Sequence, residues 1–167
     1  MNKVSIFPIM NLPEFDTGHE IVEELIKSLE ENKISLEDTD VIVITQKIIS
    51  KVEGRKIDIN KEDIEEVIKS ESLQIIRKRG ETVIAKTKHG FICANAGIDK
   101  SNIEEGSALL LPEDPDKTSR DIRKKIEHKT GKKISVIICD TFGRAWRKGQ
   151  TNVAIGSSGI EPLESYI

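Results

Sequence analysis

The chain of 167 residues carries a formal net charge of −3, with 26 basic and 29 acidic residues interleaved along it. This length fits one domain with a proper core or two small lobes, and the lack of a basic stripe argues against nucleic-acid binding. No apolar stretch is long enough to span a membrane and the N-terminus has no signal-peptide pattern, so we expect a cytoplasmic protein that does not bind membranes. Cys93 and Cys139 are far apart within apolar runs and are expected to be buried free thiols.

The first half of the chain predicts strands and helices in alternation. A short strand is predicted over 4–9, and an amphipathic helix over 19–32, where apolar residues recur at helical spacing. The β-branched run at 41–44 is typical of a strand that is buried on both faces. A second helix is predicted over 61–79.

The second half predicts a hairpin and further elements of both types, so the fold class is mixed α/β (α+β). The hairpin consists of strands at 83–87 and 91–94 that are joined at His89-Gly90. The other elements are a strand at 109–111, a helix at 120–129 capped by Thr118 or Ser119 and ended at Gly131, and strands at 134–139 and 153–156.

Two polar segments follow predicted strands, where ligand sites gather in layered α/β proteins. In the first, Lys47 and Lys51 are four residues apart and could both meet phosphate oxygens, although solvated lysines at a surface helix are the more common interpretation. In the second, Asp99 and Asn102 could converge on one cation or nucleotide, or could form an ordinary turn.

A third polar segment, 140–150, is the most specific. Asp140 and Thr141 put a carboxylate and a hydroxyl directly after a predicted strand, and such oxygen ligands suit Mg²⁺ or Mn²⁺ carrying phosphates. Arg144 and Arg147 are spaced to neutralise a triphosphate or an acyl phosphate. A loop with a purely structural role is the alternative.

Several other features point away from chemistry. The chain contains neither a Walker A loop nor a Gly-x-Gly-x-x-Gly motif. His19, His89 and His128 lack the spacing of metal ligands and are expected at the surface. Trp146 is predicted to anchor the core rather than to line a pocket.

Five blocks of sequence resemble, in order, the coenzyme F420-0:γ-glutamyl ligase family, and together they run through the chain. The resemblance implies a GTP-dependent amide ligase. GTP would phosphorylate the terminal carboxylate of coenzyme F420-0, and the amine of L-glutamate would attack the acyl phosphate. The blocks are LPE at 12–14, QKIISKVEGR at 46–55, HGFICANAGIDKSN at 89–102, LPEDPD at 111–116 and DTFGRAWR at 140–147.

The resemblance also implies a set of site residues. Asp99 and Asp140 would hold one divalent cation, Mg²⁺ or Mn²⁺, and Thr141 would contact a second. We hypothesise that Arg144 or Arg147 steadies the transferring phosphoryl group. The residues implied at the GTP site are Leu12, Pro13, Glu14, Phe15, Gln46, Lys47, Lys51 and Asn102.

The family fold implied is an unusual ligase-type arrangement of mixed sheets and flanking helices that forms an intertwined homodimer. Family members continue beyond the position of Ile167, so we expect residues 1–167 to be the N-terminal and central part of the ligase domain, with weakened turnover. Two other functions remain open. One is a catalytically inert nucleotide- or metal-binding module, such as half of a split enzyme, and the other is a metal-dependent phosphohydrolase.

Overall fold

The computed structural model of the protein describes residues 3–143 and 146–165. Within those ranges, eight strands form three small sheets beside four α-helices, which confirms the mixed α/β class. None of these helices combines the length and the apolar character needed to cross a membrane. The elements are α1 (Ile21–Glu31), β1 (Val41–Thr45), α2 (Gln46–Val52), β2 (Lys56–Asp58), α3 (Ile64–Ser70), β3 (Ser72–Arg79), β4 (Thr82–Thr87), β5 (Ile92–Ala94), a 3₁₀ turn (Asn95–Gly97), β6 (Ser107–Leu109), α4 (Pro115–Thr130), β7 (Ser135–Phe142) and β8 (Thr151–Ser158).

The main core lies between helices α1 and α4 and one face of the sheet β1-β7-β8. Strand β1 runs parallel to β7, and β8 is antiparallel to β7. Ile126 of α4 and both Val136 and Ile138 of β7 are completely buried, and Leu25 of α1 is nearly so. Each such side chain contributes roughly 1.5–3 kcal/mol by leaving water, so this layer holds the sheet edge in place.

Strand β1 is buried on one face only, so the prediction of burial on both faces was wrong. Ile42 and Ile44 enter the core, whereas the side chains of Val41 and Val43 are 45% and 61% exposed. The reason is that β1 is an edge strand and both core helices lie on the same side of its sheet.

Two predicted elements in the first half are corrected. Residues 4–9 form no strand, and Ile6 and Phe7 are exposed, because this segment pairs with no strand of the sheets. The predicted helix at 61–79 ends at Ser70, and the chain continues as β3, which pairs antiparallel with β4. Long-range pairing therefore overrides the helical pattern in this segment.

The hairpin around His89-Gly90 is confirmed as β4 and β5, whereas other boundaries differ. The strand expected at 109–111 lies at 107–109 as β6. Helix α4 ends at Gly131 in the left-handed conformation, with φ 70°, as predicted. It starts earlier than predicted, because Asp114 caps it by accepting a hydrogen bond from the Lys117 N–H at 2.8 Å.

Candidate functional site

The site is organised by the junction between β1 and α2, which follow each other with no connecting residue. Strand β1 ends at Thr45 and α2 begins at Gln46, so Lys47 and Lys51 extend from one helical face, one turn apart. Thr45 lies opposite Cys139 in the parallel pair of β1 and β7. Asp140 is therefore one residue beyond the last pair, at the edge of the sheet where α2 begins.

A cleft of about 190 Å³ lies between α2 and the segment 12–15. Phe15 is buried in the core and anchors the segment, whereas the side chain of Glu14 is 84% exposed and forms an ion pair with Lys51. The cleft brings together six of the eight residues that were predicted to bind GTP. The lining consists of Leu12, Pro13, Glu14, Phe15, Lys47, Ile48 and Lys51.

A second group of polar residues adjoins this cleft through Lys47; we name Lys47, Asp99, Ser101 and Asp140 the carboxylate cluster. The Lys47 ammonium donates to the Asp99 carboxylate and, at 3.1 Å, to Ser101 Oγ. The Asp99 backbone is fixed by two hydrogen bonds with Leu109, of 2.9 and 2.8 Å. Lys47 is thus shared by the cleft and the carboxylate cluster.

The electrostatics of the carboxylate cluster disfavour an ionised Asp140 in the absence of a further cation. Burial raises the pKa of Asp140, while the Thr141 N–H and the Lys47 charge act in the opposite direction. Burial has the opposite effect on a cationic group: it lowers the pKa of Lys47, and the Asp140 charge counteracts this lowering. A divalent cation at this position would favour the charged carboxylate.

The donor set fits a hard cation that takes the rest of its ligands from a substrate. Asp99 and Asp140 offer carboxylate oxygens, which Mg²⁺ and Mn²⁺ prefer. Within residues 3–143 and 146–165, no group of three or more His, Cys, Asp or Glu side chains is arranged to hold a metal. Mg²⁺ sites of this kind have one or two carboxylates and complete their octahedron with phosphate oxygens and water.

Thr141 projects away from Asp140. The sequence predicted that Asp140 and Thr141 follow strand β7. The strand instead continues to Phe142, so both residues lie within it. Adjacent strand residues point to opposite faces, and Thr141 is opposite Asn152, to which its hydroxyl donates a hydrogen bond. The contact of Thr141 with a second cation stays a prediction that this geometry does not explain.

Gln46 and Asn102 are near the site in sequence but do not line the cleft. The side chain of Gln46 is 1% exposed, and its Oε1 accepts from Ser50 Oγ at 2.8 Å. Its Nε2 has no hydrogen-bond partner in the described part of the chain. Asn102 is exposed at φ 53°, in the turn after Ser101. Their roles in GTP binding remain predictions.

Two candidate residues of the loop between β7 and β8, Trp146 and Arg147, are exposed. Trp146 has φ 59° and its side chain is fully exposed, so the prediction of a core anchor was wrong: none of the described residues covers the indole. Arg144 lies outside the described residues. His19 and His128 are at the surface as predicted, whereas His89 is half-buried.

The sequence predicted that the two cysteines are free thiols, and the structure confirms this. Both Cys93 and Cys139 are free, and the first is buried while the second is half-buried. Burial raises the pKa of Cys93 to about 11, and the Asp140 charge adds to the shift. A thiol with such a pKa is unreactive at neutral pH.

Ser101 is the one member of the carboxylate cluster to which the sequence assigned no specific role. It is part of a polar turn, and its sequence signal is only its place two residues after Asp99. A separate acidic cleft of about 320 Å³ at the start of α4 was not predicted either. There Glu53 accepts hydrogen bonds from Thr118 Oγ1 at 2.7 Å and from the Glu113 N–H at 3.1 Å, which joins α2 to α4.

Lys47 lies beside Asp99 and Asp140 and borders a cleft that Lys51 also lines, which is an arrangement suited to metal-assisted phosphate chemistry. The family model described as F420-0:Gamma-glutamyl ligase matches residues 9–167. The chain therefore belongs to this ligase family.

Three relatives agree with this assignment, each described as a coenzyme F420:L-glutamate ligase. The protein of Methanocaldococcus jannaschii is 42% identical over 172 residues, which cover 92% of this chain and 67% of that protein. That of Archaeoglobus fulgidus is 38% identical over 181 residues, or 99% and 71% of the two chains. That of Methanothermobacter thermautotrophicus is 36% identical over 177 residues, or 96% and 70%.

Asp140→Asn is expected to stabilise the metal-free protein at neutral pH and to abolish Mn²⁺ binding. Because the folded state raises the pKa of Asp140, its ionised carboxylate reduces the free energy of unfolding once the pH exceeds that pKa. The gain from Asp140→Asn should therefore shrink as the pH falls through the folded-state pKa. Urea unfolding in chelator between pH 4 and 8 measures the gain, and calorimetry measures Mn²⁺ affinity.

Asp121→Asn, at an exposed position of α4, provides the matched control and should change neither quantity. A lower stability of Asp140→Asn than of the wild type at pH 7 would contradict the electrostatic argument. Mn²⁺ affinity that survives both Asp140→Asn and Asp99→Asn would show that the metal site lies elsewhere.

Proposed function

We propose that this chain is a GTP-dependent ligase that joins L-glutamate to coenzyme F420-0 through an acyl phosphate. The observation that carries the proposal is the position of Lys47, which lines the cleft and also pairs with Asp99. A predicted phosphate ligand therefore contacts a predicted metal ligand. Family membership and the names of the relatives support the ligation of glutamate to the coenzyme, whereas GTP and the acyl phosphate are what the sequence resemblance implies.

The reaction has two group transfers that this charge distribution suits. In the first, a carboxylate oxygen of F420-0 attacks the γ-phosphorus of GTP, and GDP leaves. In the second, the amine of L-glutamate attacks the acyl carbon, the C–O bond to phosphate breaks, and an amide and inorganic phosphate result. The carboxylate of F420-0 and the phosphates of GTP are both anionic and repel each other in the first step, so cationic groups must hold them together.

Different residues of the site would bind the phosphates, the metal and the nucleotide. Lys51 and Lys47 would contact phosphate oxygens of GTP in the cleft, which requires each to exchange a carboxylate partner for a phosphate. Asp99 and Asp140 would hold Mg²⁺ or Mn²⁺, which neutralises the phosphate charge when bound. Segment 12–15 would line the nucleotide pocket, with Phe15 fixed in the core.

We also propose a cytoplasmic location. The free thiols of Cys93 and Cys139 fit a reducing compartment. Cell fractionation with an antibody against the chain tests this location.

A mass assay is expected to show the ligase reaction directly. The full chain is incubated with GTP, Mn²⁺, F420-0 and L-glutamate, and a mass gain of one glutamyl unit is measured together with GDP. Product formation should depend on GTP and on glutamate, because phosphorylation activates the carboxylate that the amine attacks.

The outcomes of this assay separate the candidate functions. GTP binding without product would favour an inert nucleotide- or metal-binding module, and GDP formation that ignores glutamate would favour a phosphohydrolase. The assay also tests the arginine hypothesis: undiminished turnover in both Arg144→Lys and Arg147→Lys would refute a role for either in steadying the phosphoryl group.

Lys47→Met and Lys51→Met are expected to differ in their effect on metal binding. Each removes a charged donor from the cleft, so GTP affinity should fall roughly 10- to 100-fold in both, given about 1.5–3 kcal/mol for a charged hydrogen bond. Lys47 also pairs with Asp99, where it competes with a metal. Mn²⁺ affinity without nucleotide should therefore rise in Lys47→Met and stay unchanged in Lys51→Met.

Calorimetry with Mn²⁺ alone and fluorescence titration with a labelled GTP analogue measure the two affinities. Lys69→Met serves as the control, since this exposed lysine pairs only with Glu66 on α3 among the described residues. Weaker Mn²⁺ binding in Lys47→Met would contradict the competition between the ammonium and the metal.

A homodimer is the remaining part of the proposal. Strands β1 and β3 expose apolar side chains, with Val43 at 61% and Leu73 at 64%. Exposed apolar strands of this kind are commonly covered by another subunit. Sedimentation equilibrium should give twice the chain mass of 18.7 kDa, and Val43→Lys should shift the mass toward the monomer. A monomer at micromolar concentration would contradict the proposal.

A further inference from the structure

Ser101 surrounds one oxygen of Asp99 with hydrogen-bond donors. Asp99 Oδ1 accepts from the Ser101 N–H at 2.7 Å and from the Ser101 Oγ–H at 2.7 Å. The other oxygen, Oδ2, faces the Lys47 ammonium. The two oxygens of Asp99 therefore have different partners: one faces two donors of its own turn, and the other faces a cation.

The hydroxyl bond is not needed to form the turn. Asp58 accepts from the Asn60 N–H at 3.0 Å in a turn, and Asp63 accepts from the Glu65 N–H at 2.9 Å as the N-cap of α3, both with the same two-residue spacing. Asn60 and Glu65 carry no hydroxyl, so the backbone bond forms without one. At Asp99 the hydroxyl is an additional donor, and its oxygen also accepts from Lys47 at 3.1 Å.

We propose that Ser101 is a positioning residue for the metal site: its hydroxyl fixes the Asp99 carboxylate so that Oδ2 faces the cation. This inference rests on the proposed function, in which Asp99 is a metal ligand. A carboxylate that rotates freely must lose that freedom when it binds a metal, whereas one held by a donor on its other oxygen has already lost it. Hydrogen-bonded partners of ligands act in this way and tune metal affinity.

The Ser101 hydroxyl also contacts the side chain of Lys47. While no metal is bound, Ser101 Oγ and Asp99 Oδ2 hold the ammonium together. Ser101 therefore orients both the carboxylate that would bind the metal and the lysine that would move to the phosphate. The backbone N–H of residue 101 persists in both Ser101→Ala and Ser101→Thr, so these substitutions isolate the contribution of the hydroxyl.

Ser101→Ala in the full chain is expected to weaken Mn²⁺ binding about 10-fold, the lower end of the effect of such partners. Ser101→Thr, which keeps a hydroxyl on the same carbon, should restore the affinity. Electron paramagnetic resonance of free Mn²⁺ measures the binding without any turnover. The melting temperature in chelator should be the same for both variants, because the turn keeps its backbone bond.

Ser70→Ala provides the matched control. Ser70 is also an exposed serine whose hydroxyl makes one bond, to the Val67 carbonyl oxygen at 2.8 Å, and its loss should leave Mn²⁺ affinity unchanged. Wild-type Mn²⁺ affinity in Ser101→Ala, or no recovery in Ser101→Thr, overturns the positioning role. Asp99→Asn separates the two claims: unchanged Mn²⁺ affinity there refutes Asp99 as a ligand, whereas lost affinity in Asp99→Asn with none lost in Ser101→Ala refutes only Ser101.

Discussion

The parallel pairing of β1 with β7 is the contact on which the candidate site depends. Parallel strands end at the same edge of a sheet, so Lys47, which follows β1, and Asp140, near the end of β7, become neighbours although they are far apart in sequence. The core beneath this pair, made by α1 and α4, fixes the edge. The polar residues could therefore be selected for chemistry, because burial of Ile42, Val136 and Ile138 already stabilises their positions.

The sequence predicted those elements whose signals are local. Helix α1 follows from apolar spacing, the end of α4 from Gly131, and the β4–β5 hairpin from its turn. The errors have a common physical cause, since they depend on what lies opposite a segment in space. Strand β1 has a helix layer on one face only, and β3 is extended because β4 pairs with it. Periodicity within a segment contains no information about either neighbour.

The site shows the same division between local and long-range information. Residue types alone indicated phosphate and metal chemistry, and resemblance to a family added the segment 12–15, which has no chemical signal of its own. The structure then brought that segment to Lys47 and Lys51. Ser101 received no role of its own, because a serine two residues after an aspartate is ordinary in turns, and only the arrangement of donors around Asp99 distinguishes it.

The direct junction of β1 and α2 has a consequence for how this site can change during evolution. Each residue of an α-helix turns the chain by about 100°, so one residue inserted between Thr45 and Gln46 would rotate both lysines away from the cleft. A residue added at the exposed turn between β3 and β4, at 80–81, would leave both lysines in place. The chain can therefore vary in length away from its site, but not at the point where the strand becomes the helix.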